Sequence, residues 1–143
     1  MESEPARKNF QDFSFEVSYA AGDTLEKLLG FAETIDRPQK VLLQFQKTRW
    51  CSVYLDASIV FWDALEDAEV LEIHEDYEGT PVIDYGKILQ VEGAQVLDIS
   101  CVPDVKGGAA VTLQLDRGIF RLHAVDPSDP NSASTFTWCP LRS

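Results

Sequence analysis

Acidic side chains in the middle of the chain are the residues best suited by type and spacing to do chemistry. Between Arg49 and Lys87 there is no Lys or Arg, while acids stand at Asp56, Asp63, Glu66, Asp67, Glu69, Glu72, Glu75, Asp76, Glu78 and Asp84. Neighbouring carboxylates can act as general acid and base, but a catalytic carboxyl group needs burial to shift its pKa. A run this rich in acids must mostly face water, so it favours binding over catalysis. Solubility alone and a loose Ca²⁺ loop at 74–79 remain open as other uses.

Other reactive residue types are sparse. The histidines are His74 and His123, and the cysteines Cys51, Cys101 and Cys139 lie far apart, so no CxxC or HxxxH spacing prepares a metal site. The sequence also lacks a GxSxG nucleophile motif and a phosphate-binding glycine loop. We therefore predict a chain that is not an enzyme and that has no cofactor and no metal site.

The charge balance restricts the class of partner. The chain has 143 residues and a formal net charge of −12. Such a surface repels the phosphates of nucleic acids and anionic membranes, whereas it attracts a basic protein over a long range. No apolar run is long enough to cross a bilayer, residues 1–10 lack the apolar segment of a secretory signal, and three cysteines suit a reducing compartment. We expect a cytoplasmic location.

Apolar periodicity predicts one helix followed by strands. Phe13, Phe15, Val17 and Tyr19 alternate with polar residues, which is typical of a half-buried strand. Asp23–Glu26 resembles a capping box, and the leucines and other apolar residues after it recur at helical spacing until Pro38. Residues 63–68 are consistent with one helical turn, and 69–73 favour a strand.

The predicted fold class is α+β. One N-terminal helix packs on a mostly antiparallel, curved sheet of about seven or eight strands, in a single domain over residues 1–143. Residues 1–11 are expected to be a loose lead-in and residues 126–134 a mobile loop. The oligomeric state is open between monomer and homodimer, since an unpaired sheet edge could join two copies.

The clearest hairpin in the sequence carries a resemblance. Strand residues 111–115, the turn Asp116-Arg117-Gly118, strand residues 119–122 and a later strand ending in Trp138 resemble small β-rich bacterial domains, among them the immunity proteins of toxin-immunity systems. The resemblance implies a cytosolic, acidic protein that binds a toxin enzyme and blocks it. It carries over no individual site residue.

These observations lead to one main hypothesis and one alternative. We predict a non-enzymatic acidic domain that captures a basic protein partner, most concretely an immunity protein or toxin inhibitor, with aromatic anchors among the acids. The predicted partner-binding residues are Trp62, Asp63, Glu66, Asp67, Glu69, Glu72, Glu75, Asp76, Tyr77 and Glu78. The alternative is a small ligand-binding or catalytic domain with a pocket between helix and sheet, lined by Phe13, Phe15 and Tyr19.

Overall fold

Two antiparallel β-sheets make up most of the fold. The computed structural model describes residues 9–105 and 107–141. The strands among them are β1 (Phe10–Asp12), β2 (Phe15–Glu16), β3 (Leu25–Phe31), β4 (Lys40–Phe45), β5 (Arg49–Asp56), β6 (Ile59–Leu65), β7 (Val82–Asp84), β8 (Val96–Pro103), β9 (Ala109–Leu115), β10 (Gly118–Ala124) and β11 (Ser134–Pro140). The six-stranded sheet has the order β1-β6-β5-β4-β3-β7, and the five-stranded sheet has the order β11-β10-β9-β8-β2.

The main core lies between these two sheets. Strand side chains alternate between faces, so β4 turns Val41, Leu43 and Phe45 inward and β9 turns Val111, Leu113 and Leu115 toward them. A helix, α1 (Asp67–Asp76), covers the other face of the six-stranded sheet, where Val70 and Ile73 form a second apolar cluster with strand residues. A short helix, α2 (Tyr85–Ile88), follows β7. The six-stranded sheet is therefore covered on both faces.

The prediction of an α+β fold with an N-terminal helix is wrong. The predicted helix is strand β3, and α1 is the one helix of at least seven residues in the described part of the chain. A β-bulge between Leu25 and Lys27 lets Leu25 and Leu28 both face the main core, although they lie three residues apart. Leu29 and Phe31 pack instead against the α1 cluster. The bulge and burial on both faces together imitate helical spacing.

Asp23 does not cap a helix. Its carboxylate accepts hydrogen bonds from the backbone amides of Thr24, Lys47 and Thr48, which tie the start of β3 to the turn between β4 and β5. Gly30 also has a role specific to a strand, because a Cβ at this position would overlap the Tyr85 ring. The roles of both residues depend on the strand structure of β3 and were not expected from the predicted helix.

The prediction for the region after β6 is also wrong. The sequence favours a strand at residues 69–73, but these residues form the middle of α1. Only Val70 and Ile73 of this helix are fully buried, and two apolar positions are too few to show a helical period in the sequence. Acidic residues in its first turn favour a helix because they interact well with the positive end of the helix dipole.

Other predicted elements have mixed outcomes. The hairpin is confirmed, since β9 and β10 pair antiparallel around a turn at Asp116 and Arg117. The first predicted strand is reduced to β2 and is followed by a short 3₁₀ helix at Ser18–Ala20. Of the predicted lead-in, residues 1–8 lie outside the described residues, while Phe10 and Gln11 belong to β1. The single domain and the mobile loop at 126–134 stay predictions.

Candidate functional site

The start of α1 uses several of the predicted acids for its own structure. Glu66 is the N-cap residue, and the Glu69 Oε1 atom accepts a hydrogen bond from the Glu66 amide at 2.8 Å. Asp67 lies 3.4 Å from an Arg49 nitrogen, and both side chains are exposed. An exposed ion pair of this kind stabilises a fold by at most about 1 kcal/mol. These carboxylates are structural first, although they still contribute negative charge.

The outward side of α1 and the turn after it present a second set of carboxylates. All of them are exposed, and in residues 9–105 and 107–141 none makes an ion pair: Glu72, Glu75, Asp76 and Glu78. The helix thus brings together acids that the sequence only placed close in number. Their charge is available to an approaching molecule.

The two predicted aromatic anchors occupy different environments. Trp62 is buried between the sheets and its indole nitrogen donates to the Tyr19 hydroxyl at 2.8 Å, so it cannot touch a partner. Tyr77 is half-buried at the end of α1 and stacks on Phe31 with ring centroids 4.8 Å apart. Tyr77 therefore belongs to the helix surface, and Trp62 belongs to the core.

Asp63 lies on the sheet beside α1 and not on the helix. The pKa of its carboxyl group is raised, mainly because the group is partly buried and also because of the negative charge of Glu69. The positive charge of Lys40 offsets part of this increase. The Lys40 ammonium lies 4.6 Å from the centre of the Tyr54 ring, which in turn stacks on Phe61. Lys40 therefore already offsets part of the negative charge on this side of the helix.

Ser52 was not foreseen in this region. It pairs across the strands with Asp63, and its hydroxyl is fully buried without a hydrogen-bond partner among the described residues.

An open depression runs along one side of α1. It has a volume of about 480 Å³ and is lined by Leu71, His74, Glu75 and Glu78, which we name the Leu71 groove. Leu71 is 66% exposed and is the large apolar side chain of this depression. Sequence reasoning missed Leu71 because the segment was assigned to a strand. A helical wheel of residues 67–76 places it beside Glu75.

The three residues predicted to line an aromatic pocket lie in different environments and make different contacts. Phe13 is exposed, Phe15 stacks on Phe10 with ring centroids 4.9 Å apart, and the Tyr19 hydroxyl accepts a hydrogen bond from Trp62. The helix that was to close this pocket is strand β3.

The described residues lack two other kinds of feature, a metal site and a membrane-spanning helix. No group of three or more His, Cys, Asp or Glu residues there is arranged to hold a metal ion. None of the helices formed by residues 9–105 and 107–141 has the length and apolar character needed to cross a bilayer. In comparisons with known proteins, no family model, curated protein or solved structure matches the chain.

Proposed function

We propose that this chain is a non-enzymatic binding domain that captures a basic protein through the exposed carboxylates of α1 and the turn after it. One observation carries the proposal. The outward side of the helix presents Glu72, Glu75, Asp76 and Glu78 without an ion pair in the described structure, so the helix is a fixed, one-sign surface. Helix α1 also rests on a sheet, which holds these charges at constant spacing.

Electrostatics explains how such a surface would act. Exposed carboxylates contribute little to the stability of the fold, but they raise the rate at which an oppositely charged protein arrives. The net charge of −12 adds a long-range attraction in the same direction. Salt screens this attraction over about 8 Å at physiological ionic strength, so association should slow as salt is added.

We propose a class of partner, a basic protein, and no individual target. The resemblance of the 111–122 hairpin to immunity proteins gains no support from the comparisons, so no toxin is named as the target. A basic protein is favoured over nucleic acid because the surface repels phosphates.

The test is an affinity capture from the source organism followed by kinetics with the recovered protein. The helix variant combines Glu72→Gln, Glu75→Gln, Asp76→Asn and Glu78→Gln. A matched control removes the same charge from exposed acids elsewhere, by Glu16→Gln, Glu26→Gln, Glu33→Gln and Glu92→Gln. We expect the helix variant to associate roughly tenfold more slowly at low salt, with a flatter salt dependence, and the control to change much less.

A recovered partner that is not basic would refute the proposal. Equal effects of the two variants would show that net charge acts without a docking surface on α1. Circular dichroism of both variants would confirm that the fold is retained.

A further inference from the structure

The two sides of α1 differ in chemistry. Leu71 and Glu75 lie four residues apart and therefore share one side of the helix, and Glu78 in the turn after α1 lines the same depression. Glu69, Glu72 and Asp76 lie three and four residues apart and share another side, and the charge of Glu69 contributes to raising the pKa of the Asp63 carboxyl group. Only the first side combines carboxylates with a large exposed apolar residue.

The sheet beside α1 also presents an exposed apolar side chain. His74 packs edge-on against Phe31, with ring centroids 5.2 Å apart. Val82 is the cross-strand neighbour of Phe31 in the pairing of β3 with β7, and it is 47% exposed. Directly paired residues point to the same face of a sheet, so Val82 lies on the face of the sheet that carries α1. The groove itself has one large apolar side chain, Leu71, and the exposed Val82 lies on the same face of the sheet.

The rim of the groove decides what could occupy it. Glu75 and Glu78 line the depression and make no ion pair among residues 9–105 and 107–141. A second copy of this acidic chain would bring like charges to the rim, which costs free energy. A segment with apolar residues on one side and cations beside them would satisfy both parts of the groove.

We propose that the Leu71 groove is the contact site for the basic partner, and that it takes a basic amphipathic segment whose apolar side chains pack against Leu71. This inference rests on the proposed function and adds to it the side of the helix and the kind of segment. Apolar contact in the groove supplies affinity, and the carboxylates at the rim supply orientation and a fast approach.

The test uses two synthetic peptides as probes. The first is an 18-residue peptide of lysine and leucine with leucines at helical spacing, and the second has alanine in place of every leucine, so both carry the same charge. Fluorescence anisotropy in 150 mM NaCl measures the dissociation constants. We expect the leucine peptide to bind at least tenfold more tightly than the alanine peptide.

Matched variants locate the binding site. Leu71→Ser should remove most of the preference for the leucine peptide, whereas Leu97→Ser, at an exposed leucine on β8, should leave it unchanged. The pair Glu75→Gln with Glu78→Gln should weaken binding at least threefold more than the pair Glu72→Gln with Asp76→Asn, which removes the same charge from the same helix region.

The outcomes distinguish the proposal of a contact site in the groove from the proposal that α1 is a charged docking surface. Equal losses for the two acidic pairs, or equal affinity for the two peptides, would overturn the groove while leaving a charge-driven docking surface. No change with either acidic pair would overturn both the groove and the proposed function. No saturable binding of the leucine peptide up to 100 μM would also overturn the groove. Thermal unfolding of each variant shows whether it is folded, so a loss of binding can be distinguished from a loss of structure.

Discussion

Asp23 is expected to be one of the polar groups on which the stability of this fold most depends. Its side chain is 5% exposed, and its two oxygens accept backbone amides from Thr24 at 2.7 Å, Lys47 at 3.0 Å and Thr48 at 2.7 Å. Hydrogen bonds to a charged group contribute about 1.5 to 3 kcal/mol each, and a buried donor left without a partner costs about 1 to 3 kcal/mol. The carboxylate therefore holds together three amides from two separate segments.

Replacing this carboxylate by an amide gives a measurable loss. In Asp23→Asn one oxygen remains to accept, while the NH₂ group faces amide donors, so we expect a loss of about 2 to 4 kcal/mol in the free energy of unfolding. For a chain of this size that corresponds to a melting temperature roughly 10 °C lower. Urea denaturation and calorimetry at about pH 6 measure both quantities. A matched Glu26→Gln substitution at the nearby exposed acid should change the free energy by less than about 0.5 kcal/mol.

The pH dependence makes the reasoning easier to refute. Burial raises the pKa of Asp23, but hydrogen bonds from the Thr48 side chain and from the amides of Lys47, Thr48 and Thr24 together hold it below its ordinary value of 3.8. A carboxyl group with a lowered pKa stabilises the folded state above its unfolded pKa, and this contribution is lost as the pH falls through its folded pKa. The difference between wild type and Asp23→Asn should therefore be constant near pH 6 and shrink below about pH 4. An unchanged difference down to about pH 2, or no difference at pH 6, would contradict the proposed role.

Two further predictions concern the core. Gly30→Ala should destabilise the protein by about 1 to 3 kcal/mol, because the added methyl group overlaps the Tyr85 ring; a stable variant in urea denaturation would show that the ring can move aside. Cys139 should react with a thiol reagent in the native state, whereas Cys51 and Cys101 should react only after unfolding, since both are buried and burial raises the pKa of Cys101 to about 12. Rapid native labelling of all three cysteines would contradict the packing between the sheets.

The sequence predicted the 111–122 hairpin of the five-stranded sheet better than strand β3 of the other sheet. The 111–122 hairpin shows clean alternation because one face packs and the other meets solvent. Strand β3 is covered on both faces and bulged at its start, so Leu25, Leu28 and Leu29 follow a helical period inside a strand. The apolar pattern of β3 depends on the packing of α1 over this sheet. That packing is a tertiary contact between distant segments, and it cannot be recognised from the local sequence of β3.

The candidate site was predicted in part for a similar reason. The acids from Glu66 to Glu78 lie on α1 or next to its ends, because a helix keeps residues close in number close in space. Trp62 was misplaced because an aromatic residue in a strand can face either side, and here the inward face is the core. Leu71 was missed because its exposure depends on the helical structure of residues 67–76.

The dependence of association rate on salt is the measurement that tests the central claim most directly. The recovered basic partner would be mixed in stopped flow with the wild type, with the helix variant at Glu72, Glu75, Asp76 and Glu78, and with the equally charged control. The account predicts a steep fall in rate with salt for the wild type and the control, and a much flatter one for the helix variant. The same slope for the helix variant and the wild type would contradict the claim that α1 is the docking surface.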